Sequence, residues 1–271
     1  MANPDPSPNR KPFPILRVVW LLLLAAALGA GWALWSGRVR IPEAWNPWAP
    51  LRIDATPNLL TRFKLDRAAG DRAACQVALA QADMQLTPVD DRVTGEHCGF
   101  TNAVRIQRTS VAVGSDFTLS CRTALSLAMW ERHVLQQAAQ EHLGTRVARI
   151  EHLGSYACRN LYGEEGRRRS QHATADALDV AGVVLEDGRR VRVLKDWRSA
   201  AAGTTPTSAA PAPSVAADQA TKEAPDPDEA RFLRAVHDGA CDYFDVVLGP
   251  DYNRAHADHF HFDRGAYRAC R

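Results

Sequence analysis

An uninterrupted apolar segment from Val18 to Trp35 constrains the fold of this chain more than any other feature of its sequence. In an α-helix its 18 residues are about 27 Å long, which is close to the hydrocarbon thickness of a bilayer. Trp20 lies near one end and Trp32 near the other, as expected from the preference of aromatic residues for membrane interfaces. The segment therefore predicts a transmembrane helix, preceded by a cytoplasmic tail of residues 1–17.

A cleaved signal peptide is the alternative interpretation, because the small residues between Ala25 and Ala33 could contain a processing site. We favour an uncleaved anchor, since the apolar run is long for a signal peptide and ends in Trp32 and Trp35. A buried core helix is disfavoured because the sequence offers no partner segment of comparable apolarity. We expect a single-pass inner-membrane protein with its C-terminal domain in the periplasm, or an exported protein if the segment is cleaved.

Six cysteines support export independently of the apolar segment. Their spacings are long, and no CxxC pair suggests a zinc ribbon or a redox motif. Three disulfides are the natural interpretation, since buried free thiols are expected mainly of a cytosolic chain. Pairing of sequence neighbours closes the shortest loops, but the sequence does not choose among the connectivities. The neighbour pairs are Cys75 with Cys98, Cys121 with Cys158, and Cys241 with Cys270.

The composition is that of an ordinary globular protein, 46% hydrophobic and 24% charged over 271 residues. It excludes a multi-span membrane protein and wholesale disorder, and a net charge of +2 provides no basic excess for nucleic-acid binding. Residues 36–60 are rich in Pro and Trp and predict an extended stalk, so the folded domain should comprise residues 61–271. Residues 199–228 are mainly Ala, Pro, Thr and Ser, which predicts an unstructured insertion within that domain.

Apolar periodicity predicts both helices and strands in the folded part. The longest predicted helix begins at Thr118, a possible N-cap, and ends at Leu143 before Gly144. Shorter helices are predicted at residues 72–84 and 229–239. Alternating apolar residues predict strands at residues 146–155, 177–185 and 190–194, with a hairpin turn at residues 186–188.

Residues that could bind a metal are concentrated in two short segments. The first, SQHATADALD, contains His172 and Asp179, and the second, HADHFHFD, contains His259 and His261. Since alternate residues of a strand face the same side, these last two histidines can point into one cleft. Imidazole and carboxylate suit zinc, and a catalytic zinc takes three protein ligands, which the first motif and one histidine of the pair would supply. The other histidine could act as a base or as a donor to a developing oxyanion.

Four sequence runs, CRTALSLAMW, GSYACRN, SQHATADALDVAG and DYNRAHADHFHFD, resemble the bacterial extensin-like C-terminal domain family over about residues 57–271. The two metal motifs also resemble zinc peptidases of the D-alanyl-D-alanine carboxypeptidase and lysostaphin type, whose fold underlies the hedgehog signalling domain. The resemblance implies an α+β fold in which a small antiparallel sheet carries the zinc site and helices flank the sheet. It also implies one zinc ion as the cofactor.

The same resemblance implies roles for individual residues. The implied zinc ligands are His172, Asp179 and His261. The implied catalytic residues are His259 as the first candidate for the general base, Asp258 as the second, and His256 as an accessory histidine.

Ser170 and Arg159 are candidates for binding the substrate. Arginine suits this role because its guanidinium can hold a peptide carboxylate through two hydrogen bonds. A structural ion pair beside Cys158 is the alternative role for Arg159. A serine-hydrolase site at Ser170 is disfavoured because no GxSxG-like elbow surrounds it.

An exported, membrane-tethered domain with such a site would meet peptidoglycan first, an inference from location and resemblance. We expect a zinc peptidase that cleaves stem peptides or cross-links, with the wall peptide and the membrane as partners and no nucleic acid. The alternative is a non-catalytic wall-binding or assembly module with a structural zinc. A fourth protein ligand, for example His256, would favour that alternative. The sequence makes no prediction about the oligomeric state.

Overall fold

The computed structural model describes residues 15–197 and 227–271 of the chain. Contacts within the chain separate two units, residues 1–46 and residues 47–271. The predicted insertion at residues 199–228 lies outside the described ranges except for Pro227 and Asp228, the second of which begins a helix. The structure of that insertion therefore stays a prediction.

The first unit contains the apolar helix that the sequence predicts. This helix, α1 (Ile15–Trp35), has 21 residues. Its span Arg17–Trp35 is long and apolar enough to cross a membrane, and none of the span is buried. Within the described ranges no second helix meets that criterion. A signal sequence near an N-terminus has the same properties, so the helix is compatible with a membrane anchor and with a signal.

The second unit begins with an irregular segment and two short helices, α2 (Thr61–Ala69) and α3 (Arg72–Leu79). Leu51 and Ile53 are each 4% exposed and belong to the hydrophobic core. These side chains pack into the domain, although the sequence analysis assigned them to a stalk over residues 36–60. The folded part therefore begins earlier than residue 61, because two apolar side chains between the prolines find partners in the core.

One long helical segment follows a strand and runs through the middle of the domain. It ends before Gly144, as predicted, and the φ of 68° at this residue is a conformation that favours glycine. Its beginning is not at Thr118, which lies in a strand; Ser120 is the N-cap, and its side chain accepts a hydrogen bond from the backbone N–H of Thr123. The segment consists of α4 (Cys121–Trp130), a π-helical turn (Glu131–Leu135) and α5 (Gln136–Leu143).

Two further helices and twelve strands complete the described part of the second unit. The predicted strands at residues 146–155 and 177–185 are present, whereas residues 190–194 divide between a strand and a short helix. The helices are α6 (Val193–Asp196) and α7 (Asp228–Ala240). The strands are β1 (Gln85–Val89), β2 (Arg92–Gly95), β3 (Cys98–Phe100), β4 (Ala103–Arg108), β5 (Ala112–Val113), β6 (Phe117–Ser120), β7 (Val147–Gly154), β8 (Ala177–Leu185), β9 (Arg190–Arg192), β10 (Val246–Leu248), β11 (Phe260–Asp263) and β12 (Ala269–Cys270).

The largest sheet has the strand order β12-β10-β11-β8-β7-β5, with β9 paired to β8. Its central pairs are antiparallel, and the outer pairs β5 with β7 and β10 with β12 are parallel. A second sheet has the order β1-β4-β6, and β2 with β3 forms a separate hairpin. The domain is thus of the α+β class with mainly antiparallel pairing. Strands β8 and β11, which carry residues of the two histidine motifs, are neighbours.

The aromatic residues of β11 hold the sheet against the helices. Phe260 and Phe262 are 1% and 0% exposed. The ring of Phe262 lies edge-on to Trp130 of α4, with centroids 5.2 Å apart, and the Trp130 indole donates a hydrogen bond to the carbonyl of Val236 on α7. Because side chains alternate across a strand, His261 between the two phenylalanines faces away from this core. The predicted alternation in this motif is confirmed.

Three disulfides use all six cysteines, and only one of them joins sequence neighbours. The pairing of Cys75 with Cys98 and of Cys121 with Cys158, which would close shorter loops, does not occur. Helix α3 packs against α4, which brings Cys75 to the first residue of α4, and the β2–β3 hairpin meets the loop after β7. The bridges are Cys75–Cys121, Cys98–Cys158 and Cys241–Cys270.

A buried carboxyl group at the π-helical turn leads to a first prediction. Glu131 is 2% exposed; its Oε1 accepts a hydrogen bond from Ser110, and its Oε2 has no hydrogen-bond partner in the described part of the chain. Burial raises the pKa of Glu131, against the opposing effect of the Ser110 hydrogen bond. Glu131→Gln, which removes the buried charge, should therefore raise the free energy of unfolding at pH 7 by about 1 kcal/mol.

The pH dependence of this gain is its decisive measurement. Folding raises the pKa of Glu131 above 4.5, the value for an unperturbed glutamate. The protonated carboxyl group therefore contributes its full stability when the pH is below 4.5, and this contribution is lost as the pH rises through the pKa of the folded state. The advantage of Glu131→Gln in urea unfolding should thus shrink as the pH falls toward 4. Glu131→Ala, which leaves a cavity, serves as a control and should destabilise at both pH values. A gain that does not change with pH would contradict the assignment.

Candidate metal centre

A short 3-10 turn, Gln171–Thr174, positions the first histidine of the cluster. Ser170 caps this turn, with its Oγ accepting a hydrogen bond from the backbone N–H of His172 at 3.3 Å. The Nδ1 of His172 is 2.8 Å from the carbonyl oxygen of Ser155, at the end of β7. A carbonyl only accepts, so His172 Nδ1 carries the proton and Nε2 carries a lone pair. This lone pair is directed at Asp179, whose Oδ2 is 3.1 Å away.

The pairing of β8 with β11 places the second and third members of the cluster side by side. Asp179 of β8 lies directly opposite His261 of β11 in the antiparallel register. The Nδ1 of His261 is 2.8 Å from Asp179 Oδ1. On the other side of the ring, His261 Nε2 is 3.0 Å from Oδ2 of Asp263, two residues further along the same strand. Both nitrogens of His261 therefore face a carboxylate, and the neutral ring with its proton on Nε2 presents a lone pair from Nδ1 to the cluster.

Three acceptor atoms therefore converge at one point. His172 Nε2 is 3.3 Å from His261 Nδ1, and both nitrogens are close to an oxygen of Asp179. With the His172 proton on Nδ1 and the His261 proton on Nε2, no hydrogen of the three residues lies between these atoms. Ligand atoms of a tetrahedral zinc site with bonds of 2.0–2.1 Å are about 3.3 Å apart, which is close to the observed separations. The cluster fits a single divalent cation.

The electrostatics of the cluster favour positive charge at its centre. Burial raises the pKa of Asp179, but hydrogen bonds with His172 and His261 outweigh this effect and hold the pKa well below its usual range. Burial lowers the pKa of His261, but the hydrogen bonds and charges of Asp179 and Asp263 raise it to about 9. Without a metal ion the site thus attracts a proton, so metal and proton compete for the same lone pair.

His259 and Asp258 form a pair at the edge of the cluster. His259 Nδ1 is 2.8 Å from Asp258 Oδ1, so the ring donates its proton to this carboxylate. His259 Nε2 is then the free nitrogen, 3.6 Å from Asp179 Oδ1. The side chain of Asp258 is 53% exposed and reaches the cluster only through His259. This geometry suits His259 as a proton acceptor and Asp258 as its orienting partner.

His256 lies beside these histidines without joining the three ligand atoms. Its ring centroid is 5.3 Å from that of His259 and 5.8 Å from that of His261. The described residues contain two groups of possible ligand atoms within 4.8 Å of one another, and His256 belongs to neither. One comprises His172, Asp179 and His261; the other comprises His237, Asp238 and Cys270, whose sulfur is in a disulfide. Burial and the charges of His261 and His259 lower the pKa of His256 to about 4, so the ring is neutral at neutral pH.

The two predicted substrate-binding residues differ in accessibility. Ser170 is 5% exposed, and its hydroxyl caps the turn that carries His172. Arg159 is exposed, and its guanidinium makes no hydrogen bond or ion pair within the described ranges. Its charge is the smallest of the causes that lower the pKa of His256. Of the two, Arg159 is available to a ligand, whereas Ser170 is engaged in local structure.

A family model described as "Extensin-like protein C-terminus" matches residues 73–212 and 214–271. The chain belongs to this family. Every residue of the metal cluster lies within the matched part of the extensin-like domain, whereas α1 precedes it. No curated protein and no solved structure matched the chain.

Sequence reasoning missed two groups that orient the candidate metal ligands of the extensin-like domain. Asp263 holds the outer nitrogen of His261, and the carbonyl of Ser155 holds that of His172. The pattern HxHxD contained a signal for Asp263, since the alternation that places His259 and His261 on one face of a strand also includes residue 263. The Ser155 carbonyl has no sequence signature, because a backbone acceptor can come from any residue.

Proposed function

We propose that this extensin-like domain is a zinc-dependent peptidase that hydrolyses peptide bonds in the stem peptides or cross-links of peptidoglycan. The observation that carries the proposal is the convergence of one ring nitrogen each from His172 and His261 with the carboxylate of Asp179. Two nitrogen ligands and one oxygen ligand form a typical catalytic zinc set. The proposal includes a fold of the D-alanyl-D-alanine peptidase and hedgehog type.

A catalytic role is better supported than a structural one. A structural zinc site is usually closed by four protein ligands, whereas a catalytic site keeps one position open. His256, the candidate for a fourth ligand, lies outside the three-residue cluster of the described residues. This arrangement supports an open position over a wall-binding module with a closed site.

The side chains around the cluster can perform the proton transfers of peptide hydrolysis. When bound, zinc supplies Lewis acidity, which makes water more acidic and polarises the scissile carbonyl. His259 Nε2 accepts the proton of the attacking water, and Asp258 stabilises the resulting imidazolium through Nδ1. The imidazolium then returns that proton to the leaving amine, which restores His259.

The disulfides and α1 support the proposed location. Three disulfides with no free cysteine are typical of proteins from an oxidising compartment such as the periplasm. The helix Ile15–Trp35 would anchor the domain to the inner membrane, or export it if cleaved. Peptidoglycan is the peptide-bearing polymer that such a domain would meet, so its stem peptides and cross-links are the proposed substrates.

Zinc content and muropeptide cleavage of the full chain test this proposal together. We expect one zinc per chain, cleavage of purified muropeptides, loss of cleavage with a chelator, and recovery on adding zinc back. Mass spectrometry of the products identifies the bond. A chain that binds zinc and sacculi without chelator-sensitive cleavage would refute the peptidase and support the non-catalytic module.

Asp263 provides a sharper prediction about the metal site. Asp263 Oδ1 accepts from the backbone N–H of Gly265, so an asparagine should direct its oxygen there and its NH₂ toward His261. His261 would then place its own proton on Nδ1, the nitrogen that faces the cluster. Asp263→Asn should weaken zinc binding about 10- to 100-fold in a chelator competition. The matched control is Asp258→Asn, at a carboxylate bound to a non-ligand histidine; an equal loss in both variants would contradict the assignment.

A further inference from the structure

A second hydrogen-bonded cluster lies next to the metal centre and involves residues with no assigned role. Asn253 precedes the 3-10 turn Arg254–His256 and caps it. Its Oδ1 is 3.0 Å from the backbone nitrogen of Ala255 and 2.8 Å from Nδ1 of His256. Its Nδ2 donates to the hydroxyl of Tyr162 at 3.1 Å. One amide thus joins the turn, the histidine and a second loop.

These contacts determine which nitrogen of His256 carries the proton. A backbone N–H can only donate, so the Asn253 atom that faces Ala255 must be the oxygen. The same oxygen contacts His256 Nδ1, and two acceptors would not share this contact. Nδ1 is therefore the protonated nitrogen of the neutral ring, and Nε2 carries the lone pair.

The free lone pair belongs to a ring that is packed among the histidines of the site. His256 is 8% exposed, and its ring centroid lies 5.3 Å from that of His259, 5.8 Å from that of His261 and 5.5 Å from that of Tyr252. A buried ring with one satisfied nitrogen leaves its second nitrogen as an acceptor for a ligand. Nε2 of His256 has no hydrogen-bond partner among the described residues, so it is available to a donor from a ligand.

Tyr162 links this cluster to the loop that carries Arg159. Its φ of 57° lies in the left-handed region, which is unfavourable for a bulky residue. Its hydroxyl accepts a hydrogen bond from Asn253, and this contact to the opposite loop stabilises the unfavourable conformation. Such strain is concentrated at functional sites. Here the strained residue belongs to a hydrogen bond that joins two loops next to His256.

We infer that Asn253 is a positioning residue that holds His256 with its proton on Nδ1, so that Nε2 accepts a hydrogen bond from an N–H group of the bound substrate. The substrate class is a peptide or amine that presents an N–H donor next to the scissile bond. The identity of this ligand rests on the proposed peptidase function, whereas the tautomer of His256 does not.

Nitrogen NMR of the full chain with ¹⁵N-labelled histidine tests the tautomer directly. The His256 signals are assigned from the difference spectrum of a His256→Gln variant. The wild type should show a protonated Nδ1 and an unprotonated Nε2. Asn253→Ala removes the acceptor and should give a mixture of tautomers or the reverse one. Asn253→Asp keeps an acceptor and a cap for the turn, and should retain the wild-type tautomer.

Kinetics separate positioning from mere structural support. In a muropeptide assay Asn253→Ala should lower kcat at least about tenfold, and Asn253→Asp should restore most of it. Tyr162→Phe keeps the cap on the turn and should shift the tautomer ratio in the same direction with a smaller loss. A wild-type His256 protonated on Nε2, or an unchanged spectrum in Asn253→Ala, would overturn the inference. Because the spectra need no turnover, an inactive chain with the expected tautomer would refute the peptidase alone.

Discussion

A His259→Ala variant is expected to retain its zinc and to lose peptidase activity by about 10²- to 10⁴-fold. The ring borders the cluster: His259 Nε2 is 3.6 Å from Asp179 Oδ1, and Nδ1 is bound to Asp258. Removing it takes away the proton acceptor and leaves the ligands His172 and His261 in place. Zinc content and muropeptide turnover should be measured on the same preparation.

Two comparisons make this result specific. His172→Ala removes a ligand, so zinc and activity should be lost together. His142→Ala, on α5 and without a side-chain hydrogen bond in the described part of the chain, should change neither. If His259→Ala keeps both its zinc and its turnover, then His259 is not the base. Asp258, which contacts the cluster only through His259, would then have no role in proton transfer through that ring.

Only the part of the candidate metal centre that lies on a single strand could be predicted from local sequence patterns. Alternation along β11 places Phe260 and Phe262 in the core and His261 on the opposite face, and the motif shows this directly. The partner Asp179 is 82 residues away in sequence, and its contact with His261 depends on β8 lying next to β11 in one register. Local patterns contain no information about that register. The resemblance of the two motifs to zinc peptidases suggested the ligand set, and the pairing of β8 with β11 explains why Asp179 and His261 are in contact.

Local periodicity was a weaker guide between residues 85 and 120. Six strands of two to six residues occupy this region, and one of them, β2, is exposed at all four positions. Such strands lack the apolar alternation on which sequence interpretation depends. The start of the long helix was misplaced for a related reason. The apolar residues of β6 continue into the helical pattern, and the pairing of β6 with β4 places Thr118 in the sheet.

Loss of the Cys75–Cys121 disulfide is expected to be the most destabilising change at any of the three bridges. The bridge joins α3 to the first residue of α4 across 46 positions, and both cysteines are 0% exposed. Closing a loop of that length in the unfolded chain corresponds to about 4 kcal/mol. A Cys75→Ala/Cys121→Ala variant should therefore lose about 4 kcal/mol of unfolding free energy in urea, with the cost of the small core cavity added.

The Cys98–Cys158 bridge separates loop length from packing as the cause of this effect. It spans 60 positions, so loop length alone predicts a slightly larger loss for Cys98→Ala/Cys158→Ala. However, Cys158 is exposed, and the bridge attaches the β2–β3 hairpin to the loop before Arg159, where local opening can relieve the lost constraint. We therefore expect a smaller loss of global stability than for Cys75–Cys121, together with faster hydrogen exchange in the hairpin. A larger loss at Cys98–Cys158 would show that chain entropy outweighs core packing in this domain.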